Sequence, residues 1–195
     1  MNNTKKKRAV FVDRDGTIID ENGYICHFSQ ATIFPYAFEA IKKINQMGFI
    51  VIGITNQSSI ARDICTEEEV KAIHLEICRV FQEKQARIEQ FYYCPYHIEG
   101  VLPEYKKVHP WRKPQPGMLL QAAEDYHIDL SQSIMIGDNV ADIEAGKNAG
   151  CKTILLLTGH GPEAKETLLQ KNVIPDLITE NLITALSEEN LHLFF

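Results

Sequence analysis

The sequence has no apolar run approaching the roughly 20 residues needed to cross a bilayer. It also has no surplus of positive charge: 20 Lys and Arg stand against 26 Asp and Glu, a formal net charge of −6. That balance argues against a broad electrostatic grip on nucleic acid or an anionic membrane. No Cys-x-x-Cys pair occurs among the five cysteines, Cys26, Cys65, Cys78, Cys94 and Cys151. An odd, scattered set reads as free thiols in a reducing compartment, and the expected location is cytoplasmic. Lys5-Lys6-Lys7-Arg8 starts like a signal peptide, yet only Ala9 to Val12 is apolar before the first aspartate, too short for a secretory core. The basic run reads as a solvated tail ahead of a strand. Repeats and low-complexity segments are absent too.

What is present fits a globular protein. Apolar residues make up 45% of the 195 and charged ones 24%, enough to build one α/β domain over residues 1–195. Short apolar runs alternate with amphipathic stretches, the pattern of βα units around a parallel sheet. Strands are expected at 9–12, 49–54, 91–93, 133–136, 152–157 and 176–178. Helices are expected at 36–47, from the Thr66 capping box to about Ala86, from Pro116 to about His127, up to Ala149, at 164–170 and once more at the end. The stretches 16–35 and 95–116 read as loops.

The chemistry falls where the strands stop. In open α/β sheets, ligands bind outside the carboxyl ends of the strands. Asp13, Thr55 and Asp138 each follow a predicted strand. Asp13-Arg14-Asp15-Gly16-Thr17 sets two carboxylates two residues apart, and hard oxygen ligands favour magnesium. Alone, such a motif is an acidic turn. Thr55-Asn56-Gln57-Ser58 offers a hydroxyl, amides and backbone N–H groups suited to phosphoryl oxygens, or a polar loop satisfied locally. Arg112-Lys113 arrives at a helix N-terminus, a good place for an anion. Asp138 could be a further metal ligand. Asp142, a turn later, could orient Lys113, or Asn139 and Asp142 could simply start the helix.

Taken together and in this order, these residues resemble the four motifs of the haloacid dehalogenase superfamily: Asp13-x-Asp15-Gly16-Thr17, Thr55, Lys113, and Gly137-Asp138 with Asp142. The resemblance implies a Rossmann-like parallel sheet flanked by helices, without a large cap domain. It implies a phosphatase in which Asp13 attacks phosphorus and Asp15 serves as acid and then base. Thr55 and Lys113 would stabilise the phosphoryl group. Magnesium would sit on Asp13, the Asp15 carbonyl and Asp138.

The segments between motifs, among them Gly23-Tyr24, Ile60-Ala61-Arg62, Tyr92-Tyr93-Cys94-Pro95 and Pro116-Gly117-Met118, resemble one subgroup of the superfamily's subfamily III. It holds the heptose bisphosphate phosphatases of lipopolysaccharide-precursor synthesis and the histidinol phosphatases. By that resemblance the substrate is D-glycero-D-manno-heptose 1,7-bisphosphate, losing its 7-phosphate, with histidinol phosphate or another small phosphomonoester as the rival. Substrate contacts are expected from Glu21, Asn22, Gly23, Tyr24, Asn56, Gln57, Ser58, Arg112 and Asn139, the last in place of the usual lysine. The subgroup's structural zinc is not expected, because only Cys94, His97 and His109 remain as ligands where four are wanted. Tyr96, Tyr105 and Trp111 would hold that loop by packing. The expected partner is a small phosphorylated substrate, with no nucleic acid or membrane, and the chain a monomer. The rival of another class is a receiver-like, phosphorylation-switched binding module. Against it, Asp-x-Asp-Gly-Thr ends the first strand and no lone aspartate ends the Tyr92-Tyr93 strand.

Overall fold

A computed structural model describes residues 6–194. Six strands, β1 (Ala9–Val12), β2 (Ile50–Asn56), β3 (Phe91–Cys94), β4 (Ile134–Gly137), β5 (Lys152–Leu156) and β6 (Leu177–Thr179), form one sheet in the order β3-β2-β1-β4-β5-β6. Every pair is parallel. The chain turns to opposite sides of the sheet after β1 and β4, so those neighbouring strand ends open the crevice in which α/β proteins bind ligands.

The expected alternation of strands and helices is what forms. The apolar, β-branched runs β1 and β4 are buried along their whole length, as central strands covered on both faces must be. One face carries Val10, Val12, Val51 and Ile136 against α1 (Pro35–Gln46) and α3 (Glu67–Glu83), through Ile41, Ile44, Ile73, Ile77 and Phe81. The other carries Phe11, Ile52, Ile54 and Met135 against α4 (Gly117–Tyr126) and α5 (Val140–Ala149). The last long helix, α6 (Gly161–Gln170), packs Ala164 and Leu168 on Leu155 and Ile143. The capping box of α3 forms as the sequence predicts: the Thr66 hydroxyl accepts from Glu69 N at 3.2 Å, and Glu69 Oε2 accepts from Thr66 N at 2.7 Å. Such a cap contributes about 1 kcal/mol.

A short helix, α2 (Ser58–Ala61), follows β2 where a loop is expected. Between β1 and α1 only a single 3-10 turn, Phe28–Gln30, interrupts irregular chain, so no cap domain is inserted there. The loop before α4 has no regular element, and Tyr96 packs on Tyr105 and on His109 with ring centres 5.9 and 4.2 Å apart. Among the described residues, no helix is long and apolar enough to cross a membrane.

Three expectations need correction. The closing helix is two 3-10 turns, Thr184–Leu186 and Glu188–Leu193, after Asn181 takes the first backbone N–H groups of that segment onto its side chain. The basic run is solvated only in part where it is described: Lys6 and Lys7 are exposed, but the chain is tied down from Lys7 onward. Lys7 exchanges backbone hydrogen bonds with His127 and Asp129, and the Arg8 guanidinium donates to Phe194 O at 3.1 Å and lies over the Phe49 ring. Lys5 lies outside the described residues. Phe194 in turn is buried edge-on against Phe49, which gives the apolar end a place in the core, with Phe195 outside the described residues. Finally, Cys26 and Cys65 are joined by a disulfide, leaving Cys78, Cys94 and Cys151 free. The two cysteines stand 39 residues apart, on loops that meet only in the folded chain, so their spacing gave no signal.

Candidate active site

Asp13 stands one residue beyond β1, and its N–H donates to Ile136 O at 3.0 Å, extending the ladder with β4. That bond sets Asp13 beside Asp138, which leaves β4 just after Gly137. The chain then folds back on itself, with the N–H groups of Ile18 and Ile19 both donating to Arg14 O. Gly16 sits at φ 71° in this turn, and a Cβ there would fall 2.2 Å from Asp138 Oδ2. Gly159 closes the same carboxylate from the other side, again with no room for a Cβ. His160 N donates to Asp138 Oδ2 at 2.8 Å.

Asp142 belongs to the first turn of α5 and has both roles open to it. Its Oδ2 accepts from Asn139 N at 2.9 Å, completing the helix cap, while its Oδ1 meets Lys113 Nζ at 2.5 Å. Carboxylate oxygens of Asp13, Asp138 and Asp142 lie within 4.8 Å of one another. Among the described residues this is the one such cluster of potential ligands; Cys94, His97 and His109 form none. His97 and His109 instead accept backbone N–H bonds two residues ahead, from Glu99 and Trp111.

Lys113 is 4% exposed and anchored on three sides, by Asp13 Oδ1 at 2.9 Å, Asp142 Oδ1 and Ile54 O at 2.8 Å. Burial pulls its ammonium down, but the charges of Asp13 and Asp142 outweigh that and raise it. Burial pushes Asp13 up to about 7, against the pull of Lys113 and with the help of Asp142 and Asp15. Asp138 is pushed up to about 7 as well, by burial and then by Asp13. A pocket that crowds carboxylates this closely favours a cation among them.

Thr55, near the end of β2, is buried and accepts from Gln57 Nε2 at 2.9 Å. Asp15 stands apart from the carboxylate cluster, held by Arg14 and by Gln57 Nε2 at 3.0 Å. The catalytic residues predicted from sequence, Asp13, Asp15, Thr55 and Lys113, thus come together, with Asp138 and Asp142, around one cavity of about 480 Å³.

Of the predicted substrate contacts, Glu21, Gly23, Tyr24, Asn56, Gln57, Ser58, Arg112 and Asn139 line that cavity, whereas Asn22 does not and is exposed. Two of the lining side chains are occupied elsewhere. Asn56 pairs with the backbone N–H and C=O of Lys113, at 3.0 and 3.1 Å, and so seats that loop. Gln57 spends its amide on Arg14, Asp15 and Thr55. Arg112 is partly buried, with Nη1 on Tyr96 O at 3.1 Å, and burial lowers its pKa. Burial likewise raises Glu21. Sequence reasoning gave no role to the wall residues Arg14 and His160. An arginine between two aspartates was the available clue to the first; the second had none.

This geometry, oxygen ligands and a locked lysine at the ends of central parallel strands, defines a phosphoryl-transfer class of site. The HAD-hydrolase-like family model matches residues 110–185. Among relatives, the D-glycero-D-manno-heptose-1,7-bisphosphate 7-phosphatase of Thermosynechococcus vestitus is 36% identical over 95% of this chain and 96% of its own length. The D-glycero-beta-D-manno-heptose-1,7-bisphosphate 7-phosphatase of Escherichia coli K12 is 36% identical over 83% of this chain and 86% of its own. A crystal structure of D,D-heptose 1,7-bisphosphate phosphatase from B. bronchiseptica, complexed with magnesium and phosphate, superposes with a TM-score of 0.79 at 26% identity, covering 95% of this chain and 98% of the other. The chain belongs to the haloacid dehalogenase-like phosphatases, in the family of the heptose bisphosphate phosphatases.

Proposed function

We propose that this protein is a magnesium-dependent phosphomonoesterase that removes the 7-phosphate of D-glycero-D-manno-heptose 1,7-bisphosphate through an aspartyl phosphate on Asp13. The observation that carries the reading is the Asp13 carboxylate at the floor of the cavity, with the Lys113 ammonium on one oxygen and Asp138 beside it.

The residues fit magnesium. The donor set is oxygen only, Gly16 and Gly159 leave beside the Asp138 carboxylate space that a Cβ would fill, and burial, helped by the neighbouring carboxylates, drives Asp13 and Asp138 toward about 7 until a cation offsets it. Asp13 and Asp138 would hold the ion, with the Asp15 backbone carbonyl. Bound there, it supplies positive charge against the repulsion between carboxylate and phosphate.

The chain's own residues do the rest. An Asp13 oxygen attacks phosphorus, and the ester P–O bond breaks as Asp15 hands its proton to the leaving alkoxide. Asp15 then takes a proton from water, whose oxygen attacks the same phosphorus, and the Asp13–phosphorus bond breaks to release inorganic phosphate. Thr55, Lys113 and backbone N–H groups after β2 hold the equatorial oxygens in place. Asp142 keeps Lys113 pointed at Asp13.

Arg112 favours a bisphosphate over histidinol phosphate. A partly buried guanidinium on the cavity wall suits a second phosphate and repels a substrate that carries an ammonium. A monomeric, cytoplasmic enzyme is part of the same proposal, although with Cys26 and Cys65 paired the cysteine pattern no longer supports a reducing compartment.

The test is phosphate release, with and without magnesium, from the heptose bisphosphate, histidinol phosphate and a generic aryl phosphate. We expect metal-dependent hydrolysis led by the bisphosphate. Heptose bisphosphate turned over no faster than the aryl ester would overturn the substrate; full activity in excess chelator would overturn the metal.

A further inference from the structure

A buried cation next to the acid/base residue has no part in the reaction above. Arg14 is 1% exposed, and a guanidinium so placed costs several kcal/mol unless its N–H groups find acceptors. It finds them on three side chains. Nε and Nη2 fork onto the Asp15 carboxylate at 3.0 to 3.2 Å, Nη2 also reaches Gln57 Oε1 at 2.9 Å, and Nη1 lies 3.2 Å from His74 Nε2.

His74 arrives from the buried face of α3, one residue past Ile73 and three before Ile77. Arginine has donors only, so His74 Nε2 must be the acceptor, which makes the ring neutral with its proton on Nδ1. Burial, and then the charge of Arg14, hold the imidazole well below its usual range, in agreement with that state. The ring stacks on Phe91 with centres 4.6 Å apart and leans on Tyr93 at 5.5 Å. Both aromatics lie on β3, where Tyr93 pairs in register with Thr55. Gln57 closes the circuit, donating to both Asp15 Oδ2 and Thr55 Oγ1.

We propose that His74 is a positioning residue for the acid/base step: through Arg14 it fixes the direction in which Asp15 presents its carboxylate. The proposal rests on the reading of Asp15 given above. Proton transfer needs the donor within about 2.6–3.2 Å of the leaving oxygen, so a carboxylate whose fork can swing loses rate rather than affinity. An alkyl ester needs that proton, whereas an activated aryl ester departs without it.

The test compares His74→Leu, which removes the acceptor, with His74→Gln, which retains one, in the full chain with magnesium. For His74→Leu we expect the first step, read as leaving-group release in a single turnover so that the later water attack common to both esters does not enter, to slow about tenfold to a hundredfold on the sugar bisphosphate and less than about threefold on p-nitrophenyl phosphate, with affinity unchanged. His74→Gln should recover most of the loss. Equal losses on both esters, or no recovery by glutamine, would overturn the proposal. Asp15→Asn is run alongside. If it too lacks the leaving-group dependence, the acid/base reading fails and takes this proposal with it; if it shows the dependence and His74→Leu does not, the proposal alone fails. Should His74→Leu not fold, nitrogen NMR of the unmodified protein at pH 7 decides. A protonated Nδ1 and an unprotonated Nε2 are expected, and the opposite tautomer or an imidazolium would overturn the assignment.

Discussion

The floor and the rim of the cavity are built differently. On the floor, Asp13, Thr55, Lys113, Asp138 and Asp142 are nearly or wholly buried; four stand at a strand end or in a first helical turn, and Lys113, on the loop before α4, is held by Asp13, Asp142 and the Ile54 carbonyl. On the rim, Gly23, Tyr24 and His160 are exposed, on loops. The loop carrying Gly23 and Tyr24 is fastened by the Cys26–Cys65 disulfide to the segment following the short helix that begins at Ser58. The floor is over-determined, so a change at any of its charged side chains leaves a buried charge without its partner. The rim is held by few ties, so a change there alters what binds while the chemistry stays intact.

That contrast orders the expected effects. Lys113→Met should do the most damage, because it strips the cation from two buried carboxylates. We expect a loss of about 3–5 kcal/mol in denaturant unfolding and a fall in kcat of about a thousandfold. Near-normal stability would mean the floor is not locked as described. Arg112→Ala should raise KM for the bisphosphate about tenfold while kcat changes little, and should leave a monophosphate unaffected. A matching loss on both substrates would place Arg112 with the floor.

Cys65→Ser tests the tie on the rim. The loop-closure account gives the disulfide about 4 kcal/mol of stabilisation. We expect a lower Tm and a KM raised a few-fold, with kcat held; a collapse of kcat would show that the rim loop shapes the floor. The smallest effect concerns pH. Asp13 and Asp138, at about 7 in the fold, lie above the ordinary value near 4, so the metal-free folded chain binds more protons than the unfolded one. The stability they confer is full below about pH 4 and is lost as pH rises through about 7. Magnesium binding favours both as carboxylates, so it should raise Tm more at pH 8 than at pH 5. An equal rise at both would contradict the charge balance proposed for the floor.

The floor was legible in the sequence because its signals are local. Asp13 and Asp138 each stop an apolar run, Thr55 lies within a residue or two of one, and the Arg112-Lys113 pair precedes a helix. The capping box at Thr66 was legible for the same reason. What escaped was made by distant segments meeting. Arg14 and His74 are 60 residues apart, and Cys26 and Cys65 are 39 apart. A histidine on an apolar helix face shows only that it is buried; which group it serves depends on β3 and on the turn after β1. The hydrogen bonds that Gln57 makes besides lining the cavity escaped in the same way, since its partners Arg14 and Asp15 come from another strand end. Asn22 was assigned to the substrate by the resemblance, which carries a whole loop over at once, and in a loop of irregular chain neighbouring residues need not face the same way.

The account turns on Asp13 as the group that carries the phosphoryl. The direct measurement is a rapid acid quench of the protein mixed with a ³²P-labelled sugar bisphosphate and magnesium. The wild-type chain should retain label in a hydroxylamine-sensitive bond, and Asp13→Asn should retain none and release phosphate at least about 10⁴-fold more slowly. Label or substantial turnover in Asp13→Asn would contradict the account.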